Sequence, residues 1–218
     1  MHVLAFDCAT QGCSVAVTRQ GRLLGRRQVN AERGQSEILL PMIAALMAEN
    51  GLDWTELSLI GVTIGPGRFT GLRIGLAAAR GLALATGLPV SGVGTAEALA
   101  QAVPAAERQS RTLLAVIDGK RADLFVQAFD ESLRPLAPPA AMMAEAVVER
   151  WPGPLLLVGD GAERLAPLLP QALRSTASCW PDAALVAELA EARWVEGRTL
   201  APQPLYLRPA DVTLPAAR

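Results

Sequence analysis

The sequence predicts a two-lobe α/β protein, and three observations lead there. The first hundred residues read as strands and helices in the order β-β-β-α-β-α-β. A strand–strand–helix–strand–helix pattern resumes beyond residue 105. Each half opens on an apolar strand that ends in aspartate, Leu4-Ala5-Phe6-Asp7 and Ala115-Val116-Ile117-Asp118, with a second strand soon after. One match of this kind also arises by accident. Taken as a duplication, it gives two similar α/β lobes facing a cleft, one over residues 1–104 and the other over 105–218.

The elements follow in order. Val3 to Phe6 is an apolar strand, Cys13 to Thr18 alternates as a second, and Leu23 to Val29 reads as a third after the turn Gln20-Gly21. Leu39, Met42, Ile43 and Leu46 recur at helical spacing, so Ile38 to Met47 reads as a helix with one broad apolar stripe. Ser36 is placed to cap it and Asn50-Gly51 to end it, while Pro41 removes one backbone donor early on. Leu57 to Ile64 is a strand, a glycine-rich loop follows, and Phe69 to Ala85 is a second helix closed by Gly87. Pro89 to Val93 returns as a short strand, and Ala102 to Arg111 reads as a linker. Beyond it, Thr112 to Ile117, Leu124 to Phe129 and Leu155 to Val158 read as strands. Ala144 to Arg150 and a helix capped by Asp182 and running to Val195 complete the set, before a proline-rich, extended end.

Composition narrows the function classes. With 218 residues, 51% of them hydrophobic, the chain can bury a sizeable core. It has 20 basic and 21 acidic residues, a net charge of -1. A free-standing nucleic-acid binder draws most of its affinity from a basic excess, so any RNA role must lean on a partner or on a local patch. Cys8, Cys13 and Cys179 are an odd set without metal-ligand spacing, which argues against a disulfide framework. His2 is the one histidine, so neither a zinc site nor a Ser/His/Asp or Cys/His constellation is expected. No apolar run is long and charge-free enough to span a membrane, and the chain enters its first strand without a basic leader, so the cytoplasm is the expected compartment.

Two places could carry chemistry. Asp7 ends a strand and is followed by Thr10 and Gly12, the arrangement with which actin-like ATPases open their first phosphate loop. The same residues also suit a plain Asx-turn that closes a hairpin. The second place is Gly65-Pro66-Gly67-Arg68-Phe69-Thr70-Gly71. Its glycines permit tight backbone turns, and Thr70 could cap a helix whose free N–H groups hold an anion. A bare strand-to-helix turn fits equally, and no Gly-Lys-Ser/Thr follows to make a Walker loop. The helix itself carries Gly67, Gly71, Gly75 and Ala79 at intervals of four, a ridge with almost no side chain. Glycine costs roughly 1 kcal/mol relative to alanine inside a helix, so the ridge implies close approach by a neighbour. Internal packing and a partner surface both remain open as that neighbour. Arg73 and Arg80 are the main charges of the helix.

Several segments together resemble a known family. They are Asp7-Cys8-Ala9-Thr10, Ser36-Glu37-Ile38-Leu39-Leu40-Pro41, Gly65 through Gly75, Gly92-Val93-Gly94-Thr95 and Tyr206-Leu207-Arg208-Pro209. The chain resembles the TsaB (YeaZ-type) family of bacterial tRNA threonylcarbamoyladenosine synthesis, over nearly its full length and most specifically over Gly65 to Gly75. The resemblance implies an actin/Hsp70-like (ASKHA, RNase H-like) two-lobe fold. It implies a non-catalytic paralogue of the catalytic subunit TsaD, with no metal and no cofactor of its own. Such a protein supports, with TsaD and the ATPase TsaE, threonylcarbamoyl transfer to N6 of adenosine 37 in tRNAs reading codons that begin with A. tRNA is then met only through the complex.

The resemblance also implies that the first two helices, Ser36–Glu49 and Phe69–Ala85, contact TsaD or a second copy of the chain. On that basis Leu39, Met42, Ile43, Leu46, Gly71, Leu72, Gly75, Leu76 and Ala79 are the expected interface residues. A bulky residue at Gly75 should then break partner binding and spare the fold. Asp7, Thr10, Gly65, Gly67 and Thr70 are the candidate vestigial phosphate-binding residues. The chain departs from the family where Gln35 replaces a frequent histidine and Arg68 a usual serine, and where Gly119-Lys120-Arg121 follows Asp118. The alternatives are an ATPase or small-molecule kinase acting alone through the Asp7 cleft, and an M22-type glycoprotease, against which the missing His-x-x-x-His pair argues.

Overall fold

The computed structural model describes residues 1–31 and 33–208, so Pro209 of the last motif lies outside the described residues. The strands are β1 His2–Asp7, β2 Gly12–Arg19, β3 Arg22–Asn30, β4 Leu59–Gly65, β5 Val90–Gly94, β6 Thr112–Ile117, β7 Leu124–Phe129, β8 Ala140–Met142, β9 Leu155–Val158 and β10 Leu173–Arg174. The α-helices are α1 Gln35–Glu49, α2 Phe69–Thr86, α3 Thr95–Gln101, α4 Ala105–Arg108, α5 Ala144–Arg150, α6 Ala162–Leu165 and α7 Ala183–Val195.

The strands form two five-stranded sheets, in the orders β3-β2-β1-β4-β5 and β8-β7-β6-β9-β10. In each, three antiparallel strands come first and two parallel strands are added beside the opening one. The repeat read from the two aspartate-ending strands is therefore a repeat of whole-sheet topology. It is the two-lobe α/β architecture that the sequence predicts.

Strand periodicity sorts the core. Along β1, Leu4 and Phe6 face one side with Leu39 and Ile43 of α1 and Leu76 and Ala79 of α2. Val3 and Ala5 face the other side, against Val186, Ala187 and Ala190 of α7. In the second sheet Leu113, Ala115 and Ile117 meet Leu99 and Ala100 of α3, while Leu114 and Val116 meet Val147 and Leu165. Both sheets are thus covered on both faces.

The helices do not respect the boundary between 104 and 105. That division separates the strands cleanly, but α3, from the first half, packs its Leu99 on the second sheet. Helix α7, from the second half, covers the first. Each lobe takes a helix from the other half of the chain. The linker expected over Ala102 to Arg111 contains α4, and α3 was not anticipated.

Three cap expectations are decided. Asp182 caps α7 through Ala184 N–H at 2.9 Å, as its place before the apolar run predicts. Ser36 does not cap α1, which begins one residue earlier behind Gly34 in the left-handed region at φ 77°. The cause is Gln35, whose amide donates to the carbonyls of Thr10 at 3.2 Å and Gly12 at 2.9 Å and fixes the first turn against the β1–β2 loop. Nor does Thr70 cap α2: Arg68 holds that place with its backbone, and Thr70 sits exposed in the first turn.

The glycine ridge faces inward. A Cβ on Gly71 would fall on the carbonyl oxygen of Cys8, and one on Gly67 on that of Ala9. Gly81, on the outer side of the same helix, has open space around it. We therefore expect Gly71→Ala to lower stability by about 3 kcal/mol through overpacking against backbone. Gly81→Ala should raise it by roughly 0.5–1 kcal/mol through helix propensity. Urea unfolding of the two variants beside the parent checks both signs.

Candidate functional site

The β1–β2 loop and the start of α2 meet at the mouth of the cleft. Arg68 N–H donates to Ala9 O at 2.8 Å, which pins the glycine loop to the hairpin. Asp7, at the end of β1, is 1% exposed. Its Oδ1 accepts from Ala9 N–H at 3.0 Å, closing an Asx-turn, and from Thr63 Oγ1 at 2.6 Å. Burial pushes the Asp7 pKa up to about 7; the hydrogen bonds from Thr63 and Ala9 oppose that rise, and the nearby Asp160 carboxylate adds to it.

The second lobe supplies the facing groups. Asp118, at the end of β6, pairs with Lys120 Nζ at 3.2 Å and Arg164 Nη1 at 3.1 Å. Its partial burial disfavours charge, but the Lys120 backbone and side chain and Arg164 outweigh this and hold the carboxyl below its ordinary range. Asp160 accepts from Asp118 N–H at 2.9 Å; burial raises its pKa, and among the described residues its Oδ2 has no hydrogen-bond partner. Gln11 bridges the lobes, with its side-chain oxygen oriented toward Arg68 Nη2 at 2.8 Å and Lys120 Nζ at 3.2 Å.

Of the phosphate-loop candidates, Asp7 and Gly67 meet through Ala9, whose N–H bonds Asp7 and whose carbonyl abuts Gly67, while Thr70 sits exposed. The gathered residues fit a metal-bound nucleotide poorly. Asp7 is enclosed by its own hairpin, with burial raising its pKa and Ala9 N–H and Thr63 Oγ1 already on its Oδ1, so it does not present a free carboxylate to the cleft. The space beside Gly67 is taken by Ala9 O, and that beside Gly65 by Leu205 O at 2.9 Å from a Cβ there. Thr10 Oγ1 is buried with no partner. Among the described residues no three His, Cys, Asp or Glu side chains converge. Cys8 and Cys13 oppose one another with sulfurs 3.0 Å apart, buried and as free thiols, while Cys179 is exposed.

The expected interface residues are placed elsewhere than expected. Leu39, Met42, Ile43, Leu46, Leu72, Leu76 and Ala79 are all buried in this chain's own core. Gly71 and Gly75 are buried with them, Gly75 toward Val62 and Cys8. The regular apolar stripe of each helix is the one the sheet consumes. Burial of such side chains is worth about 1.5–3 kcal/mol each, and domain stability totals about 5–15 kcal/mol, so no partner can borrow four of them.

What the two helices leave outside is a second apolar surface that the spacing argument missed. Leu40, Ile74, Ala77, Ala78, Gly81 and Leu82 line a groove of about 440 Å³ between α1 and α2. Leu40 is 50% exposed. The signal was present: α2 is small or apolar nearly all round, more than one buried face requires. The helix's charges have a third use. Arg80 donates to Pro202 O at 3.0 Å and Arg73 to Tyr206 Oη at 3.1 Å, which straps the extended C-terminal segment along α2.

Known proteins match this arrangement. The family model for TsaD, tRNA N6-adenosine threonylcarbamoyltransferase, matches residues 29–156. The tRNA threonylcarbamoyladenosine biosynthesis protein TsaB of Escherichia coli K12 is 30% identical over 221 residues, covering 95% of each chain. The chain belongs to the TsaB family. A YeaZ-like structure from Pseudomonas aeruginosa, described by its similarity to peptidase YeaZ, has a TM-score of 0.79 at 30% identity and covers 95% of this chain and 99% of its own. The activator of 2-hydroxyisocaproyl-CoA dehydratase from Clostridium difficile, solved with bound ADPNP, shares the fold at TM-score 0.55 and 11% identity, over 92% of this chain and 99% of that one. This TsaB-family chain therefore has the two-lobe fold of actin-like ATPases and kinases. Its relatives connect it to tRNA threonylcarbamoyladenosine biosynthesis. Among the described residues no helix is long and apolar enough to cross a membrane.

The buried aspartate sets a pH test. Because the folded pKa of Asp7 lies above the unfolded value, the full contribution is present below about pH 4. It is lost as pH rises toward about 7, where the folded group ionises, and is then constant. A tenfold difference in proton affinity is worth about 1.4 kcal/mol. Asp7→Asn, which keeps both acceptor bonds, should flatten the decline in urea midpoint between pH 4 and 7 and be the more stable form at pH 8.

Proposed function

We propose that this chain is a non-catalytic accessory subunit. It docks a TsaD-type catalytic subunit and, with a TsaE-type ATPase, supports threonylcarbamoyl transfer to N6 of adenosine 37 in tRNAs reading codons that begin with A. The observation that carries this reading is the apolar groove between α1 and α2. It lies on the two helices through which the family resemblance implies contact, and it sets the exposed Leu40, Ala77 and Gly81 beside Leu39, Ile74, Ala78 and Leu82, which also pack on the core. The small residues Ala77, Ala78 and Gly81 let a partner helix approach closely. The enclosure of Asp7 supports the non-catalytic part, since a phosphoryl-transfer site needs a carboxylate facing its metal, whereas this one is buried and takes hydrogen bonds from Ala9 and Thr63. A cytoplasmic location agrees with a tRNA substrate.

The interface is thus moved outward from Met42, Ile43 and Leu46 to Leu40 and its neighbours, with Leu39 still part of the groove lining. Gly81→Glu tests it, because the new side chain projects from an exposed helix position with open space around it. A buried unpaired carboxylate at an interface is costly. The variant should unfold like the parent and lose about tenfold or more in capture of a TsaD-type protein. Capture at full yield would sink the docking assignment. Sedimentation of the same variant reports on self-association through the same groove.

The activity itself needs reconstitution. Given tRNA and an activated threonylcarbamoyl donor, threonylcarbamoyladenosine should form only when this chain is combined with TsaD-type and TsaE-type proteins, and not with this chain alone. Calorimetry with ATP and magnesium on the isolated chain tests the reading of an independent ATPase: strong binding abolished by Asp7→Asn would favour that alternative.

A further inference from the structure

A second concavity lies between the lobes, where the C-terminal strap passes between α2 and the β6–β7 loop. It has a volume of about 450 Å³, within the range of small-ligand sites. Its chemistry differs from that of the docking groove. Three arginines, Arg73, Arg121 and Arg208, line it together with Phe69, Phe125 and Tyr206. Among the described residues no acidic side chain lines it.

The side chains are stacked. The Arg73 guanidinium lies 3.7 Å from the Phe69 ring centre, and the Phe69 and Tyr206 rings stack at 5.6 Å with 28° between their planes. Across the cavity, Arg208 lies 4.3 Å from the Phe125 ring centre. Asp123 holds Arg208 at 2.5 Å and neutralises it, whereas Arg73 forms no ion pair among the described residues. Phe69 is 54% and Tyr206 45% exposed, so the stack carries open ring surface beside a cation. A protein of net charge -1 has concentrated cations and flat rings in one place.

Arginine beside exposed aromatic rings is the chemistry that takes an unstacked base and its phosphate. We propose that this cavity binds a nucleotide of single-stranded RNA, with the base against the Phe69–Tyr206 stack and the adjoining phosphate at Arg73. The inference deepens the accessory-subunit reading and rests on it for the identity of the RNA as tRNA. It gives the chain an RNA contact of its own. One or two phosphates make a weak, salt-sensitive contact, so the partner must supply the rest of the affinity.

The test is fluorescence anisotropy of a labelled single-stranded oligoadenylate RNA titrated with the full chain at low salt. Binding should weaken as salt rises. Tyr206→Ala and Arg73→Gln should each weaken it by about tenfold, and Tyr206→Phe should restore it. Ultraviolet cross-linking should join the RNA to peptides that contain Phe69 or Tyr206. Absence of binding, equal binding by Tyr206→Ala and Arg73→Gln, or equal binding of blunt double-stranded RNA would overturn the proposal. Competition by adenosine monophosphate at the same nucleotide concentration would also overturn it, by making this a site for a free mononucleotide. Tyr206→Ala should still capture a TsaD-type partner at full yield; loss of capture would assign the strap to docking and overturn the RNA role. Failure of the parent protein to capture that partner, with RNA binding intact, would instead count against the accessory-subunit reading.

Discussion

The carbonyl groups of Cys8 and Ala9 occupy the space that side chains at Gly71 and Gly67 would need. Much of the cleft-side structure depends on that contact. It lets the β1–β2 loop lie directly on the backbone of α2, so Arg68 N–H reaches Ala9 O. It brings Gln35 within reach of two more carbonyls of the same loop, which fixes where α1 starts. It also seals Asp7 beneath the loop, where Thr63 and the Ala9 amide take its oxygen. A loop that could have cradled phosphate is instead clamped by its own neighbours. The cost of glycine in a helix, roughly 1 kcal/mol each, is offset by the contacts the bare backbone allows.

Helix α2 then distributes three tasks around its circumference. Gly71, Leu72, Gly75, Leu76 and Ala79 face the sheet and its opening hairpin. Arg73 and Arg80 hold the extended C-terminal segment. Ile74, Ala77, Ala78 and Gly81 face outward beside α1. A helix that is apolar nearly all round usually belongs deep inside a protein. Here the third face is left uncovered by the described residues, which is why it fits an interface.

Part of the site was legible from sequence. Asp7 and Asp118 could be picked out because each ends an apolar strand, and Gly67, Gly71 and Gly75 because glycine is expensive there. Their meaning was not legible. Periodicity finds the most regular apolar stripe, and the core claims that stripe first, so Leu39, Met42, Ile43 and Leu46, which the resemblance points to as interface, are buried. Ile74, Ala77, Ala78 and Gly81 also recur at helical spacing, but their small side chains give a weak apolar signal, and only the packed pair of helices sets them beside Leu40. The basic, aromatic cavity was further from view, since Arg73, Phe125 and Tyr206 are distant in the chain and meet only through the strap.

The sequence by itself determined the strand and helix order of most of the chain, the repeated lobe, the Asp182 cap and the family. These depend on local period, turn chemistry and short motifs, which neighbouring residues carry between them. Tertiary structure alone decided which neighbour the glycine ridge serves, the exchange of α3 and α7 between the lobes, and the burial of Asp7 near neutrality. Each of those is set by groups far apart in sequence, such as Ala190 against Gly61 and Leu205 against Gly65. A one-dimensional pattern shows that a surface is bare; only packing shows what lies against it.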